Sequence, residues 1–353
     1  MVVRDAERDR LRERGRWIAG AEFYSDRVDS ARVERADSGA TLVRPARFGD
    51  GARMRTASLF VVPEWMPSED LTVTLGVRAN SWRVEVPAAV GAADVDLDAN
   101  EVTGRLGVHW RFEPRWTLYG SYGRGFRPPN VFDLGALGAR PGNRFNVGNP
   151  GLGPETSDQV EFGVRFRSMA LRVELTSFAT TVDARIRSVG TGAVTPAGRD
   201  VVQTVNGGES RYRGVEAQVR WAPTDRFDVD AVVSYVRAED DFAGQVTPGD
   251  RVPPLNGRVR ITGRVHEGID AHLTLAAASR QDRLSDRDVR DPRIDPFGTD
   301  GWVRIDLGAV WRASNALNVR VNAGNLADAR YREHGSGLDA PGRHLAVAFD
   351  WNL

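Results

Sequence analysis

The chain has 353 residues with 48 basic and 48 acidic side chains, so its formal net charge of zero excludes whole-molecule steering toward nucleic acid. Cysteine is absent, which excludes disulfide staples and thiolate-held zinc. A 41% hydrophobic share with 27% charge is a folded composition, at a length one barrel can fill.

In chain order, the first stretch "MVVRDAERDRLRERGRW" carries no apolar h-region. Residues 4–15 read as a short charged helix, and the expectation is a charged segment over 1–15 with no signal peptide. From residue 16 to 353 period two takes over. "GRWIAGAEFYSDRVDSARVER" reads as one long strand. "RGVEAQVRW" sets Val215, Ala217, Val219 and Trp221 on one face and Glu216, Gln218 and Arg220 on the other. "RFDVDAVVSY", "GRVRITGRV", "IDAHLTLAA" and "HLAVAFDWNL" repeat this alternation, the pattern of strands with one apolar and one polar face. "DVVQTVNGGESRYRGVEAQVRW" predicts a long strand broken at Gly207–Gly208 by a bulge or kink.

Between these strands the connections alternate in length. Tight turns fall near Pro67–Glu69, Glu113–Pro114, Ser168, Pro223–Thr224, Glu267–Gly268 and Ala313–Asn315. Long polar segments fall at 37–52, 83–100, 125–156, 184–198, 239–254, 282–299 and 325–341. About fourteen strands in seven hairpins result, with every long loop at one end, the layout of an outer-membrane barrel. Trp17, Trp65, Trp110, Trp116, Trp221, Trp311 and Trp351 all fall at the short-turn ends, whereas Trp82 and Trp302 lie toward the loops. Indole favours the membrane–water boundary. No apolar run approaches twenty residues, which excludes a spanning helix and leaves spanning strands open.

Chemistry-bearing motifs are scarce. There is no GxSxG, HExxH, P-loop or GxGxxG, so the expectation is a protein that is not an enzyme and holds no cofactor. Of five dispersed histidines only His334 lies in a long loop. "ADVDLDANE" starts like a calcium loop at Asp94, Asp96 and Asp98, but Ala99 replaces the turn glycine and Arg105 the closing Glu. It therefore reads as a solvated strand face, and no metal site is expected. Arg124, Arg127, Arg140 and Arg144 cluster in the longest loop beside Phe126, Phe132 and Phe145. They could bind carboxylate, phosphate or catecholate groups or solvate their own loop.

That loop carries a resemblance. "YGSYGRGFRPPNVFDL" followed by "NPGLGPETSDQVEFGVRF" resembles the barrel of a TonB-dependent outer-membrane receptor, matching at Gly125, Phe126, Arg127, Pro129, Asn149, Pro150, Leu152, Pro154, Glu155 and Glu161. "VNGGESRYRGVEAQV" is similar to another family element at Asn206, Arg213, Gly214, Val215 and Glu216. "VNAGNLADARYREHG" matches at Asn325, Leu326, Asp328 and Tyr331, and "APGRHLAVAFDWNL" at Pro341, Gly342 and Arg343. The four boxes occur in the family's order.

The resemblance implies an all-β, antiparallel transmembrane β-barrel, with about 14 strands present of a 22-strand barrel. The plug and the TonB-contacting segment have no counterpart here, so a C-terminal portion is expected. It implies residence in the bacterial outer membrane, contact with outer-membrane lipid and uptake of a scarce ligand, a ferric siderophore first. The TonB complex would be a partner only where a plug is supplied, and no nucleic-acid partner is implied. Cobalamin and haem stand behind; no histidine lies between Phe126 and Leu152, which disfavours haem. Candidate ligand-binding residues are Arg127, Arg140, Arg144, Tyr331 and His334. The alternative is a passive porin-like channel.

Overall fold

A computed structural model describes residues 15–351 apart from 36, 37, 45, 47, 88–92, 136, 141 and 142. The expected helix over 4–15 lies outside the described residues, except that Gly15 already opens the first strand.

Fourteen strands form one antiparallel meander, each paired with the next: β1 (Gly15–Val28), β2 (Ala52–Ser68), β3 (Leu71–Val86), β4 (Val95–Glu113), β5 (Trp116–Arg127), β6 (Glu155–Arg167) and β7 (Leu171–Asp183). The path continues through β8 (Glu209–Thr224), β9 (Phe227–Phe242), β10 (Asn256–His266), β11 (Ile269–Ala278), β12 (Trp302–Arg312), β13 (Leu317–Gly324) and β14 (His344–Trp351). The sheet is not closed: β1 and β14 are its two edges. A short strand, Gln245–Pro248, folds back on the loop end of β9. Among the described residues no helix is long and apolar enough to cross a membrane.

The register shows how the strands lean. One rung of directly opposed residues runs Trp221, Val229, Ile261, Leu273, Leu307, Ala323 and Leu345. It starts near the short-turn end of β8 and finishes near the loop end of β14. Strands inclined across their rungs are what a barrel wall requires. The rung is apolar throughout and faces outward, as do Leu59, Val61, Leu75, Val77, Leu106 and Val108, all exposed. The seven tryptophans of the short-turn end are 41–70% exposed, whereas Trp82 is 2% exposed. Side chains on the opposite face are largely polar, many in cross-strand ion pairs such as Arg165–Glu174 at 2.7 Å and Arg78–Glu22 at 2.5 Å.

Strand lengths divide the sheet. Spanning a bilayer takes about 9–11 tilted residues, which suits β10 to β12, with β13 and β14 slightly shorter at 8 residues each. The 16–19 residues of β2, β3 and β4 overshoot that need at the loop end. Much of the loop expected over 83–100 is therefore strand: Trp82 pairs with Ala99 and Val86 with Val95. Its Asp and Asn residues occupy one face only. On the other, Trp82, Val84, Val86, Val95 and Leu97 are buried against Leu134, Leu137 and Leu152 from the 128–154 loop. The described residues of that loop form a cover over the end of the wall. Asn130 caps the helix Val131–Leu134 by accepting from the N–H groups of Phe132 and Asp133. Gly138–Arg140 and Arg144–Val147 then join Ile186–Val194 and Asp200–Asn206 of the next loop in a four-stranded sheet. The break at Gly207–Gly208 is present, and Gly208 adopts φ +77° where the chain leaves this small sheet for β8.

The loops after β9, β11 and β13 are held differently, by charge. Arg251 pairs with Asp291 at 2.5 Å, Arg283 with Glu239 at 3.1 Å, and Arg287 with Asp250 at 3.3 Å. Asp288, fully buried at the short helix Asp286–Arg290, accepts from the backbone N–H groups of Arg251 and Ser285.

Candidate functional site

Arg127 closes β5 and is engaged on both sides. Its Nε donates to Glu155 at 2.7 Å and its Nη1 to Asp133 at 2.6 Å. Burial pushes the Glu155 carboxyl up, but the hydrogen bonds from Arg127 and the Ile186 N–H, with the charges of Arg127 and Arg185, hold it below its ordinary value. The same carboxylates raise the Arg127 guanidinium above its usual value. Arg140 donates to the Ala46 carbonyl, and Arg144 opens a loop strand in register with Asp200, its side chain exposed.

The other family-motif residues occupy the joints between wall and loops. Phe126 and Leu152 pack in the cover cluster, and Pro129 is fully buried. Asn149 accepts from Gly151 N–H and donates to the Thr204 carbonyl. Gly214 lies where a Cβ would stand 2.4 Å from the Phe178 ring and 2.8 Å from the Tyr235 carbonyl oxygen. Glu216, on the inner wall, accepts weakly from Ser234 at 3.4 Å. Asn325 is fully buried at φ +50°; its amide donates to the Ala329 and Pro341 carbonyls and accepts from Ala329 N–H. Leu326 N–H donates to the Ile305 carbonyl, and Asp328 accepts from the N–H of Arg343, next to Gly342.

His334 lines a cavity of about 450 Å³ on the inner wall of β9 to β12, roofed by the last three loops, and Tyr331 packs behind its Trp302. Arg258, Trp302, Arg304, Arg332 and His334 line it. Tyr331 stacks on Trp302 with centroids 4.4 Å apart, and its hydroxyl accepts from Arg304 at 2.9 Å. Arg332 is held by Asp339 at 2.7 Å. The arrangement is an aromatic floor ringed by guanidinium groups, suited to planar or anionic groups. Arg127, Arg140 and Arg144 do not line it. Sequence reading missed Arg258 and Arg304, although period two places both on the inner face.

His334 has a side chain 1% exposed; its Nδ1 lies 2.9 Å from Thr299 Oγ1 and its Nε2 3.9 Å from Asp288. Burial lowers its pKa, Arg251 adds to this, and Asp288 opposes it. An unfolded histidine takes up its proton near pH 6.5, whereas the folded one resists until lower pH. The loops are therefore most stable above that value and weaken as pH falls through it. Limited proteolysis of 325–343 should speed up below about pH 6.5, and His334→Gln should flatten that dependence. An unchanged profile in the variant would remove His334 as the cause.

The family model described as TonB dependent receptor-like, beta-barrel, matches residues 6–326. The chain is 22% identical over 307 residues to the iron-regulated outer membrane virulence protein of Vibrio cholerae, covering 82% of itself and 43% of that protein. In structure it is similar to the copper transporter OprC (TM-score 0.78, 17% identity, 96% of this chain and 54% of that one). It is also similar to the siderophore receptor PiuA from Acinetobacter baumannii (TM-score 0.70, 15% identity, 96% and 53%). The chain thus spans about half the length of the relatives it matches. With the meander, the one-sided loops and the outward apolar face, these matches carry one conclusion: the chain belongs to the TonB-dependent receptor-like β-barrel family.

Proposed function

We propose that this chain forms part of the wall and the outer loops of an outer-membrane receptor for TonB-energised uptake of a scarce ligand, a ferric siderophore first. The observation that carries the reading is the cavity of Trp302, Arg304 and Arg332 beneath ordered loops. An aromatic surface with guanidinium donors accommodates the planar, anionic chelating groups of such ligands. Tyr331 fixes Trp302 and Arg304, and His334 ties the roof to Thr299. Family membership favours a receptor over a passive porin. In lipid, each unpaired edge group of β1 and β14 costs several kcal/mol. The working wall therefore needs those edges paired, and coupling to TonB needs a plug in the same assembly.

The test is uptake of radio-iron from a panel of ferric siderophores by iron-starved cells carrying the receptor. Trp302→Ala should cut uptake of the cognate complex about tenfold, the range of losing one aromatic contact. Uptake that continues unchanged after deletion of TonB would sink the energised reading and restore the porin.

A further inference from the structure

The outward face of the wall stays open whatever fills the lumen, and β7 to β12 stand away from the two unpaired edges of the sheet. On β8 that face runs Trp221, Val219, Ala217 and Val215 before it reaches Arg213. On β9 it runs Val229, Ala231, Val233 and Tyr235 before it reaches Arg237. These two arginines are therefore the first charges above the apolar band on their strands. Both are exposed, and they oppose each other directly. Like charges so placed on neighbouring strands repel. Arg237 donates to Glu239 at 2.7 Å, but Glu239 also pairs with Arg283 at 3.1 Å, and Arg211 pairs with Glu209. Arg213 faces Ala179 on its other side and, among the described residues, has no carboxylate partner. Asp183 and Asp241 lie four residues further along their strands, about 13 Å away.

Beside this pair the apolar band is hollowed. One outward rung runs Val233, Gly257, Ala277 and Val303 across β9 to β12. Its two small residues leave an open groove of about 560 Å³ between the valines, topped by Leu255 and Gly301. A Cβ on Gly257 would stand 2.8 Å from the Val232 carbonyl oxygen, so close backbone approach keeps that position small. From Val233 the outward face of β9 climbs through Tyr235 to Arg237, a rise of about 13 Å. Tyrosine at that level suits the membrane–water boundary. Apolar groove below the boundary and guanidinium pair above it is the order in which a lipid presents its acyl chains and its headgroup.

We propose that Arg213 and Arg237, with the groove beside them, bind a membrane lipid whose headgroup carries phosphate, drawn from the leaflet on the loop side. The planar forks of facing guanidinium groups suit bidentate contact with phosphate oxygens. A basic cluster at the rim of an apolar band recognises anionic headgroups. The phosphate supplies the counter-charge that Arg213 lacks, and an acyl chain fills the space between Val233 and Val303. The site lies across the wall from the cavity of Trp302, Arg304 and Arg332. It requires that the outward face meet lipid and is independent of which ligand is taken up.

The experiment is native mass spectrometry of the full chain in neutral detergent micelles, titrated with diphosphoryl lipid A, with the same lipid stripped of phosphate, and with inorganic tripolyphosphate. The diphosphoryl lipid should bind saturably and at least about tenfold more tightly than the stripped one. Arg213→Gln with Arg237→Gln should abolish that preference, while Arg213→Lys with Arg237→Lys should keep part of it. The glutamine pair removes a repulsion, so its melting temperature without lipid should equal or exceed that of wild type, which separates lost binding from lost fold. Ala277→Leu fills the groove and should weaken both lipids while leaving the phosphate preference in place. Equal binding of the two lipids by wild type, or an undiminished preference in the glutamine pair, overturns the proposal. Tripolyphosphate bound as tightly as the lipid would make this a soluble-phosphate site, and the lipid assignment would fall. Unchanged lipid binding by Ala277→Leu would remove the groove from it. None of these outcomes bears on siderophore uptake, which Trp302→Ala tests separately.

Discussion

Leu273→Arg is expected to stop the chain from accumulating as a folded protein in the outer-membrane fraction. Leu273 sits mid-strand on β11 between Ile261 and Leu307, and all three side chains point outward and are exposed. In water that exposure would need no special lesson. In a bilayer, an arginine on the lipid face near the midplane costs ~2–4 kcal/mol. Two comparisons isolate the cause. Leu273→Met keeps the apolar surface and should assemble normally. Gln218→Arg, on the inner wall, places the same charge away from lipid and directly opposite Glu174, and should be tolerated. Fractionation with heat-modifiable gel mobility reads all three. Normal assembly of Leu273→Arg would mean that this face does not meet lipid.

Asn325→Ala is expected to unfasten the last loop while leaving the sheet intact. The side chain is wholly buried and makes three hydrogen bonds to the backbone at Ala329 and Pro341, and its own N–H donates to Asp306. Alanine would leave the N–H and carbonyl of half-buried Ala329 and the carbonyl of exposed Pro341 without this partner, a loss of about 1 kcal/mol for each hydrogen bond. It would also occupy φ +50°, where asparagine is tolerated and alanine is strained by ~1 kcal/mol. Hydrogen exchange should show residues 325–343 losing protection while β13 keeps it. Global unfolding would place Asn325 in the folding core of the sheet instead.

The wall was far more legible than the site. Alternation in "RGVEAQVRW" and its fellows reports one apolar and one polar face per strand, and a meander follows when short and long connections alternate. The place where reading stopped early is instructive. "ADVDLDANE" shows Asp at every second position, and the polar half of the pattern masked the buried half formed by Val95 and Leu97. The candidate residues were harder because binding depends on which loops meet. Nothing local to Trp302, at the start of β12, announces that Tyr331 will stack on it from 29 positions away. Likewise Arg127 stands out by composition, yet its partners Asp133 and Glu155 engage it structurally. Arg258 and Arg304 sat in plain alternation, indistinguishable from other inward arginines until the loops roofed them.

The loop end of this barrel is a composite of two cements. The side over β2 to β6 is joined by buried Trp, Val and Leu, and the side over β9 to β14 by paired Arg and Asp. Salt that is excluded from protein surface tightens the first kind of joint, and mobile ions screen the second. A rise in ionic strength therefore loosens the charged half, and only a surface-excluded salt such as sulfate tightens the apolar half as well. The loosened half is the one that roofs Trp302 and Arg304. The cover of this wall is thus uneven in its response to salt, and the half above the cavity is the more sensitive to screening.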